Sequence, residues 1–253
     1  MEGELEAGRV SRRGFIGLAG LAALGAVAAG VGMLSRQRGK KGMVTLYTFG
    51  DSILDCAHYN ERGVHPGQLL VRNDDGLFPD FRGQDLASRG PARLEHRAVD
   101  GATVSGLPAQ ARDLRVEGRS IAIITVGGND LLQGLVADEG PGVTTFAQAL
   151  DSFVRSLPVR PVFLGNVYDP SFGDDSNNFL GVDPRVAREN HRRVNAAIAE
   201  IAGRYGALVD LHAHFLKGDP SWFTYTIEPS LTGASEVRRA FLPRVLGALG
   251  KEG

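Results

Sequence analysis

An open parallel sheet covered by helices on both sides is the fold this sequence predicts, and three observations carry it. Apolar, β-prone runs alternate with helix-patterned segments from residue 44 onward, the pattern that builds parallel strands with crossover helices. The run Ile121-Ala122-Ile123-Ile124-Thr125-Val126 is apolar at nearly every position, as a strand buried on both faces must be. The segment after Asp183-Pro184 carries Val186, Val194, Ile198 and Ile201 between charges, which is the spacing of an amphipathic helix.

Taken in order, the expected strands are residues 44–49, 94–99, 121–126, 159–166 and 207–211. Asp183 is a suitable N-cap and Pro184 a suitable first-turn residue for a helix over 185–205, which Gly206 can end. A last helix is expected from about 232 towards 249, with Val237, Phe241, Val245 and Leu246 facing inward. Residues 56–80 read as a polar, Gly-rich excursion with a turn at Asn73-Asp74-Asp75-Gly76. Residues 169–181 read as a second long loop, where Asp174-Asp175 reads as solvated rather than as a cation site.

The chain of 253 residues is long enough for a sizeable core. Its 28 basic and 29 acidic side chains leave a net charge of −1, which gives no long-range attraction to nucleic acid. A single cysteine, Cys56, excludes an intrachain disulfide framework and reads as a packed thiol. The tightest histidine group, Asp210-Leu211-His212-Ala213-His214, lacks further Cys or His partners for a metal set, so no metal or organic cofactor is expected.

Ser11-Arg12-Arg13-Gly14-Phe15-Ile16 resembles a twin-arginine export signal, followed by a mildly apolar, uncharged stretch over residues 14–34. Ala26-Val27-Ala28 offers a small-residue cleavage site. Residues 1–42 are therefore expected to be a signal or membrane anchor plus linker, and residues 43–253 the folded domain. Export by the twin-arginine machinery is the favoured reading. Membrane association through residues 14–34 is the rival, and a cytoplasmic start at Met43 a third.

Gly50-Asp51-Ser52 ends the first apolar run, where a short turn would present a serine at the carboxyl edge of the sheet. Asp100-Gly101-Ala102-Thr103 follows the second run and Gly127-Gly128-Asn129-Asp130 the third. In order and spacing these blocks resemble the SGNH, or GDSL, hydrolase superfamily, over about residues 44–249. The resemblance implies a three-layer α/β/α, flavodoxin-like fold and hydrolysis of a small-molecule, glycan or lipid ester. It makes Ser52 the nucleophile. It assigns the oxyanion to the Ser52 and Gly101 N–H groups and the Asn129 amide. Neutral donors suit a transient oxyanion, although Asn129 serves equally as a helix cap.

The family's usual Asp-x-x-His pair is missing. Tyr225 stands in the aspartate slot and Glu228 in the histidine slot, just before Pro229-Ser230. Three readings follow. Glu228 is the base, with a pKa raised by burial or a neighbouring carboxylate. A histidine from elsewhere is the base, with His214 preferred over His212 and His58. Or the domain has lost hydrolysis and binds a glycan or envelope component. Glu228 can also serve as a mere salt-bridge partner of Arg238 or Arg239. Trp222, Phe223 and Tyr225 read as ligand-site aromatics or as core.

Overall fold

The computed structural model describes residues 42–177 and 180–250 of the chain. The expected signal or anchor lies outside the described residues, apart from Gly42. Among the described residues, no helix is long and apolar enough to cross a membrane.

Five strands run parallel: β1 (Val44–Gly50), β2 (Ala92–His96), β3 (Arg119–Thr125), β4 (Val162–Gly165) and β5 (Gly206–Val209), in the order β2-β1-β3-β4-β5. Val44 of β1 pairs with Ala92 on one side and Arg119 on the other. The chain thus leaves β1 in one direction, returns, and continues outward from β3. That reversal opens a crevice at the carboxyl ends of β1 and β3, where an α/β sheet of this kind binds its ligand.

Strand alternation sorts the core into two layers. Tyr47 and Phe49 of β1, Ala122 and Ile124 of β3, and Val162 and Leu164 of β4 pack with α4 (Gly142–Ser156) and α5 (Pro184–Tyr205). The intervening Leu46, Ile121, Ile123 and Phe163 face α1 (Pro66–Val71), α6 (Leu211–Phe215) and α7 (Leu231–Gly247). Short helices α2 (Leu107–Gln110) and α3 (Gly128–Leu132) follow β2 and β3. The expected three-layer α/β/α arrangement is therefore present. The Asp183 carboxylate caps α5 through the Arg185 N–H, and Gly206 follows its last residue, as read from sequence.

All five strands differ in extent from the expectation, β1 by one residue at its end and β3 by starting two residues earlier and ending one earlier. β2 starts two residues earlier because its edge position tolerates Arg93 and Glu95; Arg97 and Val99 still hydrogen-bond to Thr48 and Gly50 beyond its end. β4 is confined to its apolar centre, after Pro161. β5 stops at Val209 because the Asp210 carboxylate accepts the Ala213 N–H and starts a helix instead. The excursion over 56–80 contains α1, which buries Leu69 and Leu70. Its six residues are too few to display a helical period.

Candidate active site

The serine turn is built on Gly50. Its φ of +122° is open to glycine, and a Cβ there would lie 1.7 Å from the Thr125 carbonyl oxygen. Gln110 holds the same residue on both sides, accepting from Gly50 N–H and donating to Gly50 C=O at 2.7 Å each. The chain then turns tightly, with Leu54 N–H and Asp55 N–H both donating to Asp51 C=O at 3.1 Å. Ser52 sits at the head of this turn, 8% exposed. Its own N–H has no partner among the described residues.

A second turn, 99–102, closes through Ala102 N–H donating to Val99 C=O at 3.1 Å. Gly101 takes its third position with φ +75°, the conformation a type II turn demands there. The Gly101 N–H is likewise unpartnered among the described residues. Asn129, on the first turn of α3, donates one amide hydrogen to Ala102 C=O at 3.1 Å. The cap position is held by Gly127, so Asn129 is not spent as a cap. Its second amide hydrogen remains available. Ser52 is buried and Asn129 half-buried, where polar groups are ordinarily paired, whereas Gly101 is exposed and its N–H is open to solvent.

Glu228 reaches this edge on a small hairpin of β6 (Phe223–Thr224) and β7 (Glu228–Pro229). The Tyr168 hydroxyl donates to Ile227 C=O at 2.6 Å, and Ser230 N–H donates to Trp222 C=O at 3.0 Å, fixing both ends. Tyr225 and Thr226 at its tip have φ of +45° and +76°, a strained conformation for such residues. The Glu228 side chain is half-buried, and that desolvation raises its pKa. A hydrogen bond from the Ser52 hydroxyl opposes the rise, the Asp100 carboxylate adds to it and His58 counters it. Glu228 Oε2 is buried without a hydrogen-bond partner among the described residues. Arg238 and Arg239 are engaged elsewhere, with Asn73 and Ser235 and with Glu236 respectively, so the salt-bridge reading of Glu228 does not hold.

Ser52, Asn129 and Glu228 line one cavity of about 440 Å³. Its apolar wall includes Leu131, Leu132, Val136 and Val167, and its polar wall Asn166, Asp169, His191 and His212. His214, the preferred histidine of the sequence reading, is not part of it. Its Nε2 lies 2.9 Å from Glu236 Oε2 and its ring packs on Trp222. The reason is helical geometry: His212 and His214 sit on α6, where residues two apart face in different directions. His58 pairs instead with Asp100 at 3.1 Å. His191, half-buried on α5 and facing His212, was not singled out from sequence; burial and that neighbour lower its pKa. Trp222 and Phe223 pack on Phe215, whereas Tyr225 is 76% exposed. Asp175 is held by Arg188 at 2.6 Å, which explains that acidic pair without a cation. Among the described residues, no cluster of His, Cys, Asp and Glu is suited to a metal.

Asp51 is fully buried beside the serine, and desolvation lifts its pKa to about 7 against hydrogen bonds from Thr125 Oγ1 and Ile53 N–H; the Glu228 charge adds to the rise. Between pH about 4 and 7 the folded chain then keeps a proton that the unfolded chain has released. Stability falls as pH rises through that window and levels off above it. Asp51→Asn keeps an acceptor for Thr125 and removes the titration. Urea unfolding at pH 5 and 8 is expected to show the wild type losing about 2–3 kcal/mol more than the variant between those conditions. Equal losses would show that Asp51 ionises freely in the fold.

A comparison with curated protein sequences finds no match. Among solved structures, the fold resembles the acetylxylan esterase Axe2 of Geobacillus stearothermophilus, at 19% identity and a TM-score of 0.59, covering 82% of this chain and 95% of that one. It also resembles LAE5, an α/β hydrolase enzyme from the metagenome of Lake Arreo, at 23% identity and a TM-score of 0.56, covering 79% and 94%. A third likeness is to the psychrotrophic esterase EstA of Pseudoalteromonas sp., whose structure was solved inhibited by monoethylphosphonate, at 15% identity and a TM-score of 0.54, covering 82% and 99%. At these identities the structures establish the shared fold. The family model of the GDSL-like lipases and acylhydrolases matches residues 48–234, spanning the serine turn, the Gly101 turn, Asn129 and the Glu228 hairpin, and the chain belongs to that family of ester hydrolases.

Proposed function

We propose that this chain hydrolyses a carboxylic ester through an acyl-enzyme on Ser52, with Glu228 as the proton acceptor. The observation that carries the reading is the single cavity lined by Ser52, Asn129 and Glu228, with the Ser52 N–H, the Gly101 N–H and the second Asn129 amide hydrogen left unpaired among the described residues. In the first half-reaction Ser52 Oγ attacks the acyl carbon and its proton passes to Glu228. The carbonyl oxygen becomes an oxyanion and accepts the three donors, each worth on the order of 3 kcal/mol in the transition state. Glu228 returns the proton to the departing alkoxide, leaving the acyl group on Ser52. Water then attacks that ester, Glu228 takes its proton, and collapse restores the serine.

A carboxylate at its ordinary pKa is a weak base for this task. Burial and the nearby Asp100 charge move Glu228 in the required direction. The mixed apolar and polar wall of the cavity suits an ester with an apolar acyl part and a polar remainder, consistent with small-molecule or glycan esters. The twin-arginine pattern at residues 11–16 supports export, which would set this chemistry outside the cytoplasm.

The test is covalent trapping. Ethyl fluorophosphonate is expected to form one adduct per chain, with Ser52 Oγ bonded to phosphorus and fluoride released. Peptide mass mapping should locate it at Ser52, with parallel loss of p-nitrophenyl ester turnover. A folded wild type that neither labels nor turns over esters of several acyl lengths would favour the binding-module reading instead.

A further inference from the structure

We infer that Asp55 is a positioning residue for the oxyanion site, locking the Gly101 turn to the serine turn. The inference rests on the esterase reading above. Asp55 ends the tight turn that Ser52 heads, three residues later, with its N–H on Asp51 C=O. Its carboxylate reaches across to the other turn, where Oδ2 accepts the Asp100 N–H at 2.9 Å. Its other oxygen, Oδ1, lies 3.2 Å from His96 Nε2, and His96 Nδ1 lies 2.7 Å from the hydroxyl of Thr48, a buried residue of β1. The carboxylate is thereby anchored to the sheet at one end and grips the turn peptide at the other.

The 99–102 turn is consequently held at two points. Asp55 takes the N–H that precedes the Gly101 peptide unit, and Asn129 takes the carbonyl that follows it. Between them only the Gly101 N–H is left without an acceptor among the described residues. The side chain of Asp100 is tied down as well, accepting the Tyr59 hydroxyl at 2.8 Å and facing His58 Nε2 at 3.1 Å. A type II turn lets its central peptide flip, so a donor in that turn needs such restraint to be preorganised. Misplacement of about 1 Å can cost on the order of 100-fold in rate. Asp55 touches neither nucleophile nor substrate; it acts through the Asp100–Gly101 peptide.

The test measures kcat and KM separately on a p-nitrophenyl ester, per active site titrated with ethyl fluorophosphonate so that unfolded chains are not counted. Asp55→Ala is expected to lower kcat by about 10- to 100-fold with KM within about twofold. Affinity for an acyl trifluoromethyl ketone, whose hemiketal oxyanion uses the same donors, should fall by a similar factor. Asp55→Asn should recover most of the loss, because its amide oxygen can still accept the Asp100 N–H. His96→Phe frees the carboxylate from its anchor and should lower kcat in the same direction, which keeps the test alive if Asp55→Ala does not fold. Unchanged kcat per titrated site in both Asp55→Ala and His96→Phe, or an Asp55→Asn variant as impaired as Asp55→Ala, overturns the inference while leaving the esterase reading intact. A wild type without turnover or labelling overturns both.

Discussion

Ser52→Ala is expected to abolish ester turnover, lowering kcat by at least about 10⁴-fold, because the acyl-enzyme cannot form without the hydroxyl. The donors would survive the change. Gly50 sets the turn by its backbone conformation, Gln110 holds that residue, and the Ser52 N–H remains whatever the side chain. Substrate binding and the thermal midpoint should therefore stay near those of the wild type, with the main local effect on Glu228. Losing the serine hydrogen bond that holds its pKa down leaves the carboxyl governed by burial, so the variant's Glu228 should take up its proton at a higher pH. Steady-state hydrolysis of short p-nitrophenyl esters, with circular dichroism to confirm folding, measures this. A variant retaining a tenth of wild-type kcat would remove Ser52 from the chemistry.

The parts of this site that sequence exposes are those fixed by local backbone. Gly50-Asp51-Ser52 and Gly127-Gly128-Asn129 are legible because a special turn must follow a buried strand, and glycine marks where. The parallel sheet brings them together, since β1 and β3 are neighbours with the reversal between them. The position of Glu228 follows from its place relative to Pro229 and the last helix, and the hairpin carries it to Ser52. Contacts between distant segments left no local trace. Asp55 with Asp100, separated by 45 residues, and His191 with Val167 C=O depend on tertiary packing. The placing of His214 away from the cavity has a local cause: Asp210 accepts the Ala213 N–H and starts a five-residue helix just where the expected strand ends, so His212 and His214 face different ways. Short elements such as α1 and α6 are where periodicity has least to work with.

Glu228→Gln should separate a proton-accepting carboxylate from a merely polar neighbour. A base acts only when deprotonated, so wild-type kcat/KM is expected to rise with pH through the elevated pKa of Glu228 and then level off. The glutamine has nearly the same shape but does not accept the serine proton at any working pH. Its plateau should lie about 10²–10⁴-fold lower, and the acidic limb belonging to Glu228 should vanish. The stability profile changes in the same variant with a definite sign. A carboxyl whose pKa is raised in the fold binds its proton more tightly there than in the unfolded chain, so it costs stability progressively as pH climbs from the ordinary glutamate value to the raised one. Glu228→Gln deletes that cost, but places an amide where Oε2 is buried without a partner among the described residues, which costs on the order of 1–3 kcal/mol at all pH values. The variant should therefore be less stable than the wild type in acid, with the gap narrowing toward neutrality. Kinetics from pH 4 to 9 and urea unfolding at both ends read these effects independently. If the acidic limb persists unchanged in Glu228→Gln and turnover stays within tenfold of wild type, the proton acceptor is another group.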